Sequence, residues 1–266
     1  MMVERSPGPL FARLAIDLAE SATRLLARRK DRHAAVHAAR KSIRRLRSVL
    51  DLCRDALGPQ VEGIDRQYQQ IAASLSPLRD AQAVANTAGL LARADGCGPW
   101  HQVFALLKRR RNAVLADVLR TDPDFAERRA SLDALAKAVG SLPWDNLGTD
   151  HLLQRMARSE RRVAKAERAS ADVPSMANRH RWRRRLRRLR MQLQAMQTAG
   201  KAAPALKSLR PDIGHASIKT LSRQSDELGR QQDLRMLRRS LNELDPSLPL
   251  ATLRRHLQVE MRRASP

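Results

Sequence analysis

A fourteen-residue segment occurs twice in the chain, and this repeat constrains the fold more than any other feature. The first copy, HAARKSIRRLRSVL, runs from His37 to Leu50, and the second, HRWRRRLRRLRMQL, runs from His180 to Leu193. Nine of the fourteen positions are identical or closely similar, and they include the histidine and three apolar positions. Because an arginine-rich composition alone would not align the apolar positions, we infer a duplicated unit. The first repeat is assigned to residues 1–144 and the second to residues 145–266.

The apolar residues recur at helical spacing almost everywhere. Ala39, Ile43, Leu46 and Leu50 lie three or four residues apart, and Gly58-Pro59 is typical of a helix end. Another predicted helix begins near residue 10. Further predicted helices cover 61–74, 77–94, 99–120, 124–139, 150–170, 175–198, 204–210, 215–229, 231–244 and 249–263. Since no β-branched run alternates at period two, the expected class is all-α, with antiparallel helices joined by short loops.

The charge balance predicts a polyanionic partner. The chain has 51 Lys and Arg against 27 Asp and Glu, a formal net charge of +24. Such a body repels itself unless an anion is near, which indicates nucleic acid, an anionic membrane surface or inorganic polyphosphate. Only 3% of residues are aromatic, which disfavours a groove that stacks single-stranded bases.

Other features concern location. No run of 18 apolar residues predicts a membrane-spanning helix, and the first ten residues lack the apolar core of a secretory signal. Cys53 and Cys97 form no CxxC motif and fit a reducing compartment. We therefore expect a cytoplasmic protein without membrane insertion.

Each repeated helix carries a cationic stripe beside its apolar face. The stripes contain a leading histidine and then only cations at successive turns: His37, Lys41 and Arg44 edged by Arg40 and Arg47, and His180, Arg184 and Arg187 flanked by Arg183 and Arg190. Arg45 points away from the core. Each stripe is about 15 Å long at a rise of 1.5 Å per residue. Like charges three and four residues apart are unfavourable, so the pattern favours phosphate binding over a solvated or RNA-binding face.

Several residues allow more than one interpretation. His37 and His180 fit an anion contact best, while metal ligation and a structural hydrogen bond are the alternatives. Asp80 and Asp233 suit either the first turn of a helix or the positioning of a stripe arginine. The run from Lys108 to Arg111 is typical of a solvated face and would otherwise extend the basic surface.

With LSPLRD at Leu75–Asp80 and LGRQQD at Leu228–Asp233, the two His-led helices resemble the CHAD domain family. The resemblance implies two similar helical bundles related by a pseudo-twofold axis, with a basic groove, and binding of inorganic polyphosphate at cytoplasmic polyphosphate granules. The residues carried over by motif match are His37, Arg40, Lys41, Arg44, Arg45, Arg47, His180, Arg183, Arg184, Arg187, Arg188 and Arg190, supported by Arg79, Asp80 and Asp233. The sequence departs from the pattern at Gln232, which stands where the first half has Arg79.

The sequence predicts a binding protein and not an enzyme. It contains neither the E-x-E-x-K signature of triphosphate-hydrolysing domains nor a P-loop, and no carboxylate cluster suited to Mg²⁺. We therefore expect no catalytic residues, no metal site and no cofactor. Non-specific binding of nucleic acid by the same surface is the alternative function.

Overall fold

The computed structural model describes residues 6–94, 98–202, 217–244 and 248–264, and these residues form ten α-helices and no β-strand. The helices are α1 (Gly8–Leu26), α2 (Arg32–Leu57), α3 (Gln60–Ser74), α4 (Ser76–Ala94), α5 (Trp100–Thr121), α6 (Ala126–Gly140), α7 (Thr149–Asp172), α8 (Met176–Ala202), α9 (Ile218–Leu241) and α10 (Leu250–Arg263). The predicted all-α class is confirmed. None of the described helices has an apolar stretch long enough to cross a bilayer.

The first repeated segment lies within α2, whose ends follow from local chemistry. The Asp31 carboxylate accepts a hydrogen bond from the Ala34 amide and caps the first turn. Gly58 ends the helix with a φ of 77°, a conformation that glycine adopts without steric cost. The predicted apolar face is confirmed, since Ile43, Leu46 and Leu50 are buried.

The second half departs from the predicted helices at one break. Residues 215–229 and 231–244 were expected to form two helices, but α9 runs without interruption from Ile218 to Leu241. Gly229 lies inside α9 and does not end it, since a single glycine costs a helix only about 1 kcal/mol. The predicted helix 204–210, Cys97 and His215 lie outside the described residues.

The first helix is present, but its regularly spaced leucines do not form its buried face. Fully buried positions are Phe11, Ala15, Ala19 and Leu26, whereas Leu10, Leu14, Leu18 and Leu25 are only partly buried. The small alanines let α1 approach α2 closely, and the Ser42 hydroxyl on α2 donates to the Leu18 carbonyl at 2.7 Å.

The apolar residues form two clusters that meet on α4 and α9. The larger cluster joins α1, α2, α3, α6, α7 and α8, and the smaller joins α4, α5, α9 and α10. On α4, Leu78 belongs to the larger cluster and Val84 to the smaller; on α9, Leu228 and Leu234 divide in the same way. The segments around Arg79 and Gln232 are therefore held between the two clusters.

Helix packing recurs between the two halves of the sequence. Helix α1 packs against α2 as α7 packs against α8; α2 contacts α4 as α8 contacts α9; and α4 contacts α5 as α9 contacts α10. Duplication of one helical unit predicts this recurrence. Both apolar clusters contain residues from either side of the 144/145 boundary, so the repeats share their cores. The division into repeats at that boundary stays a prediction.

Candidate functional site

Helices α2, α4, α8 and α9 bring arginines from both repeats together. The set consists of Arg40, Arg44, Arg79, Arg183, Arg187 and Arg190, which we call the cationic tract. The charge of Arg44 on α2 interacts with those of Arg183 and Arg190 on α8, and Arg187 in turn interacts with Arg44 and Arg79. The two stripes therefore converge on each other.

The centre of the tract is electrostatically unfavourable without an anion. Burial, followed by the neighbouring arginines, lowers the pKa of Arg44 to about 10 and that of Arg187 to about 9. Within the described part of the chain neither guanidinium has a carboxylate partner, and the buried Nε of Arg44 has no hydrogen-bond partner. Folding concentrates positive charge here and leaves it uncompensated.

Arg40 and Arg183 are anchored in the same way in the two halves. Arg40 Nη1 donates to the carbonyl of Ala72, and Arg183 Nε donates to the carbonyl of Ser225 at 3.1 Å. The two donors are 143 residues apart and the two acceptors are 153 apart, the same offsets that relate the histidines and aspartates of the repeats. A Cβ at Gly229 would lie only 2.6 Å from Arg183 Nη2, so glycine makes room for this guanidinium.

Arg79 links the two halves through the two supporting aspartates. Its guanidinium lies 2.6 Å from Asp80 Oδ1 and 3.9 Å from Asp233 Oδ1. Asp233 lies in the middle of α9, so the helix-terminus interpretation is wrong for it. Burial raises the pKa of Asp233 despite the opposing effect of Arg79. Both carboxylates pair with Arg79, and the charge of Asp233 also acts on Arg183 and Arg187.

The histidines lie at the exposed rim of the tract. His37, Lys41, His180 and Arg184 are all exposed. Partial burial, followed by the charge of Arg44, lowers the pKa of His37; partial burial, followed by Arg184, lowers that of His180. His180 also hydrogen-bonds the Gln232 side chain. Among the described residues no group of three or more His, Cys, Asp or Glu side chains is arranged to hold a metal ion.

The last arginines of the two stripes differ in their partners. Arg47 forms a bidentate pair with Asp65, at 2.7 and 3.0 Å, and also donates to Gln69 at 2.9 Å. Arg190 donates to the Ser222 hydroxyl at 2.7 Å. The charge of Arg47 is therefore neutralised within the protein, whereas that of Arg190 contributes to the tract.

Arg45 and Arg188, which were carried over by motif match, do not lie with the central arginines of the tract. Arg45 is exposed and lines a different cleft, together with Leu14, Val49 and Met191. Arg188 lies 3.3 Å from Asp51 Oδ1. Neither lies with Arg44 and Arg187, because both occupy the other side of their helices.

Arg188 belongs to a second charged group, which we call the Asp51 cluster: Asp51, Asp55, Arg155, Arg158 and Arg188. Asp51 accepts from Arg155 at 2.8 Å and from Gln192 at 3.0 Å. Asp55 pairs with Arg158 at 2.8 Å and with Arg155 at 3.4 Å. Burial opposes ionisation of Asp51, but Arg188 and Arg155 outweigh it and hold its pKa below the usual value.

The remaining candidates have ordinary surroundings. Lys108, Arg109 and Arg110 are exposed, and Arg110 pairs with Glu243 at 2.6 Å, so this run lies on a solvated face. His256 accepts a hydrogen bond from Trp100 Nε1 at 2.8 Å, which is a structural role. The sequence analysis did not single out Asp51, Asp65 or Gly229. An alignment of the repeats at an offset of 153 residues places Gly229 opposite Ser76, and this difference would have drawn attention to Gly229.

Comparisons with known proteins agree with this architecture. A CHAD domain family model matches residues 12–242. The fold is similar to the crystal structure of the CHAD domain from the plant Ricinus communis, with 21% identity, a TM-score of 0.66, and coverage of 97% of this chain and 85% of that one. It is also similar to PptA from Streptomyces chartreusis, with 18% identity, a TM-score of 0.68, and coverage of 97% and 96%. No match was found among curated proteins. The family match spans most of the chain, and the protein belongs to the CHAD domain family.

Proposed function

We propose that the protein binds inorganic polyphosphate in the cationic tract without cleaving it, in the cytoplasm and at polyphosphate granules. The CHAD family is associated with binding of polyphosphate and triphosphate. The observation that carries the proposal is the pair Arg44 and Arg187, two converging, half-buried guanidiniums with no carboxylate partner in the described part of the chain.

A phosphate chain supplies what this site lacks. Guanidinium groups bind phosphate oxygens with two parallel hydrogen bonds, and the interaction is strongest where water is partly excluded. Arg40 and Arg183 are held by backbone carbonyls, which keeps neighbouring donors in place before a ligand arrives. Lys41 and Arg184 continue the positive surface to the rim, where the two histidines also lie.

The stripe geometry favours a thin polyanion over a duplex. The central arginines are half-buried between α2 and α8, where a phosphate chain enters more easily than the broad surface of DNA. Competition between long-chain polyphosphate and duplex DNA at equal phosphate content tests this preference. We expect polyphosphate to displace DNA; equal or tighter DNA binding contradicts the proposal and supports the nucleic-acid alternative.

The central pair is tested with Arg44→Met plus Arg187→Met, which keeps the apolar stems and removes both charges. Each lost charged hydrogen bond is worth about 1.5–3 kcal/mol, so polyphosphate affinity should fall at least about 100-fold. The slope of log affinity against log salt should flatten by about two units. Isothermal titration calorimetry at several salt concentrations measures both.

A matched control removes the same charge elsewhere. Arg13 and Arg66 are exposed and form no ion pair among the described residues, so Arg13→Met plus Arg66→Met should change affinity only slightly. Equal losses in the two double variants would show that net charge, and not the tract, governs binding. Incubation of purified protein with polyphosphate and Mg²⁺ should release no orthophosphate, and sustained release would overturn the non-catalytic proposal.

A further inference from the structure

A second cationic cleft lies between α9 and α10. Its lining residues are Gln231, Arg235, Arg238, Gln258, Met261 and Arg262, which we call the α9–α10 cleft, and its volume is about 220 Å³. That volume is many times what one water molecule needs, so the cleft is large enough to admit a phosphate group.

The cleft results from the helical register of two packed helices. Gln231, Arg235 and Arg238 are four and three residues apart on α9 and therefore share one face. On α10, Gln258, Met261 and Arg262 are related by the same spacing. Because α9 and α10 pack against each other, the two faces converge and three guanidiniums line one concavity.

Glu260, which lies two residues before Arg262, does not neutralise the arginines of the cleft. Glu260 on α10 pairs instead with Arg230 at 3.0 Å and with Arg263 at 2.8 Å. Among the described residues, Arg235, Arg238 and Arg262 form no ion pair. The cleft therefore resembles the centre of the tract, where Arg44 and Arg187 also have no carboxylate partner among the described residues.

The cleft adjoins the His180 end of the tract. Gln232, which accepts from Arg183 in the tract at 3.2 Å, lies three residues before Arg235 on α9. From α8, the charge of Arg179, the residue before His180, acts on Arg235. Positive charge therefore continues from Arg183 past His180 and Arg179 into the cleft.

The first half lacks counterparts of the two α9 arginines that line the cleft. At the offset of 153 residues that relates Asp80 to Asp233, Arg235 matches Gln82 and Arg238 matches Ala85. The Gln82 side chain accepts a hydrogen bond from Arg111 Nη1 at 3.2 Å and donates one to Asn86 at 2.6 Å. The two α9 arginines of the cleft therefore have no arginine counterpart on α4.

We propose that the α9–α10 cleft is a second anion subsite, specific to the second half, that holds the phosphate chain where it leaves the tract past His180. The inference rests on the proposed binding of polyphosphate in the tract. It predicts that a long chain contacts both sites while tripolyphosphate occupies the tract alone, so the cleft contributes to affinity in a length-dependent way.

The test compares Arg235→Gln plus Arg238→Gln plus Arg262→Gln with a control of equal charge change, Arg13→Gln plus Arg66→Gln plus Arg168→Gln. All three control residues are exposed and form no ion pair in the described part of the chain. Circular dichroism verifies that both variants keep wild-type helicity. Affinities for long-chain polyphosphate and for tripolyphosphate are then measured over a range of salt.

The cleft variant should bind long-chain polyphosphate about 10-fold more weakly than the control, with a salt slope flatter by two to three units. Its affinity for tripolyphosphate should equal that of the control. Equal long-chain affinity in both variants, or an equal loss for both ligands, overturns the subsite, as does a loss seen with duplex DNA but not with polyphosphate. If the wild-type protein binds no polyphosphate, the proposed function itself fails.

Discussion

The Asp51 cluster on α2, α7 and α8 and the cationic tract on α2, α4 and α8 have opposite electrostatics. In the Asp51 cluster, three arginines surround two carboxylates, and the Asp51–Arg155 pair is almost fully buried, with 6% and 5% exposed. In the cationic tract, the central pair Arg44 and Arg187 has no carboxylate partner among the described residues.

The two clusters differ in whether carboxylates inside the protein balance the positive charge. Buried charges are tolerated when they are paired and hydrogen-bonded, as in the Asp51 cluster. Arg44 and Arg187 lack such a partner, and burial together with repulsion from neighbouring arginines lowers the pKa of both. An external anion would relieve the tract, whereas the Asp51 cluster has nothing to gain from one.

The largest expected effect is a loss of stability in Asp51→Asn, because this substitution leaves Arg155 buried without its nearest charge partner. Removal of one member of a buried ion pair costs about 3–5 kcal/mol in free energy of unfolding. Chemical denaturation followed by circular dichroism measures the loss. Arg44→Met plus Arg187→Met, which relieves repulsion, should leave the unfolding free energy unchanged or higher.

The effects on polyphosphate affinity should be reversed, with a large loss in Arg44→Met plus Arg187→Met and none in Asp51→Asn. Folded Asp51→Asn should retain wild-type affinity, because Asp51 lies outside the tract. A loss of binding in folded Asp51→Asn, or an unfolding free energy within about 1 kcal/mol of wild type, would contradict the division of roles.

Local periodicity made much of this architecture predictable. The apolar faces of α2 and α8 follow from the spacing of residues such as Ile43 and Leu186, and both are buried as predicted. The stripes followed from the same register, since every third or fourth residue lies on one side of a helix.

The partners of individual arginines could not be predicted because they come from distant segments. Arg47 is neutralised by Asp65 on α3, and Arg188 by Asp51 on α2, 137 residues earlier in the chain. Helical register alone places neither carboxylate. The uninterrupted α9 was also unpredictable, because Gly229 serves the close approach of Arg183 rather than a helix end.

Gln232→Glu sharpens the comparison by placing a new carboxylate in contact with Arg183. Gln232 already accepts from Arg183 at 3.2 Å, and a hydrogen bond to a charged group is stronger, so the unfolding free energy should rise by about 1 kcal/mol. The new negative charge should repel the ligand and reduce polyphosphate affinity by about 10-fold, a change of about 1.4 kcal/mol. Thermal unfolding and calorimetric titration test the two effects together.

Gln69→Glu provides a matched control for this substitution. Gln69 accepts from Arg47 at 2.9 Å, but Asp65 already neutralises that arginine. The same change of residue should therefore alter affinity much less than Gln232→Glu. Equal weakening by both substitutions would indicate that Arg47 belongs to the binding surface in spite of its ion pair.

The smallest expected effect is a pH dependence that distinguishes the rim of the tract from the Asp51 cluster. Partial burial and cationic neighbours lower the pKa of His37 and His180 below 6.5, so both are neutral in the free protein at pH 7.5. A bound polyanion favours their charged forms, so the complex takes up protons and affinity rises as pH falls below about 6.5. The gain should stay within about 10-fold, the effect of one unit of pKa increase.

His37→Gln plus His180→Gln should flatten the profile while Asp80 and Asp233 stay in place, and His101→Gln, at an exposed position outside the tract, should leave it unchanged. An identical profile in the double variant would remove the histidines from the binding surface and leave the arginines alone to account for it.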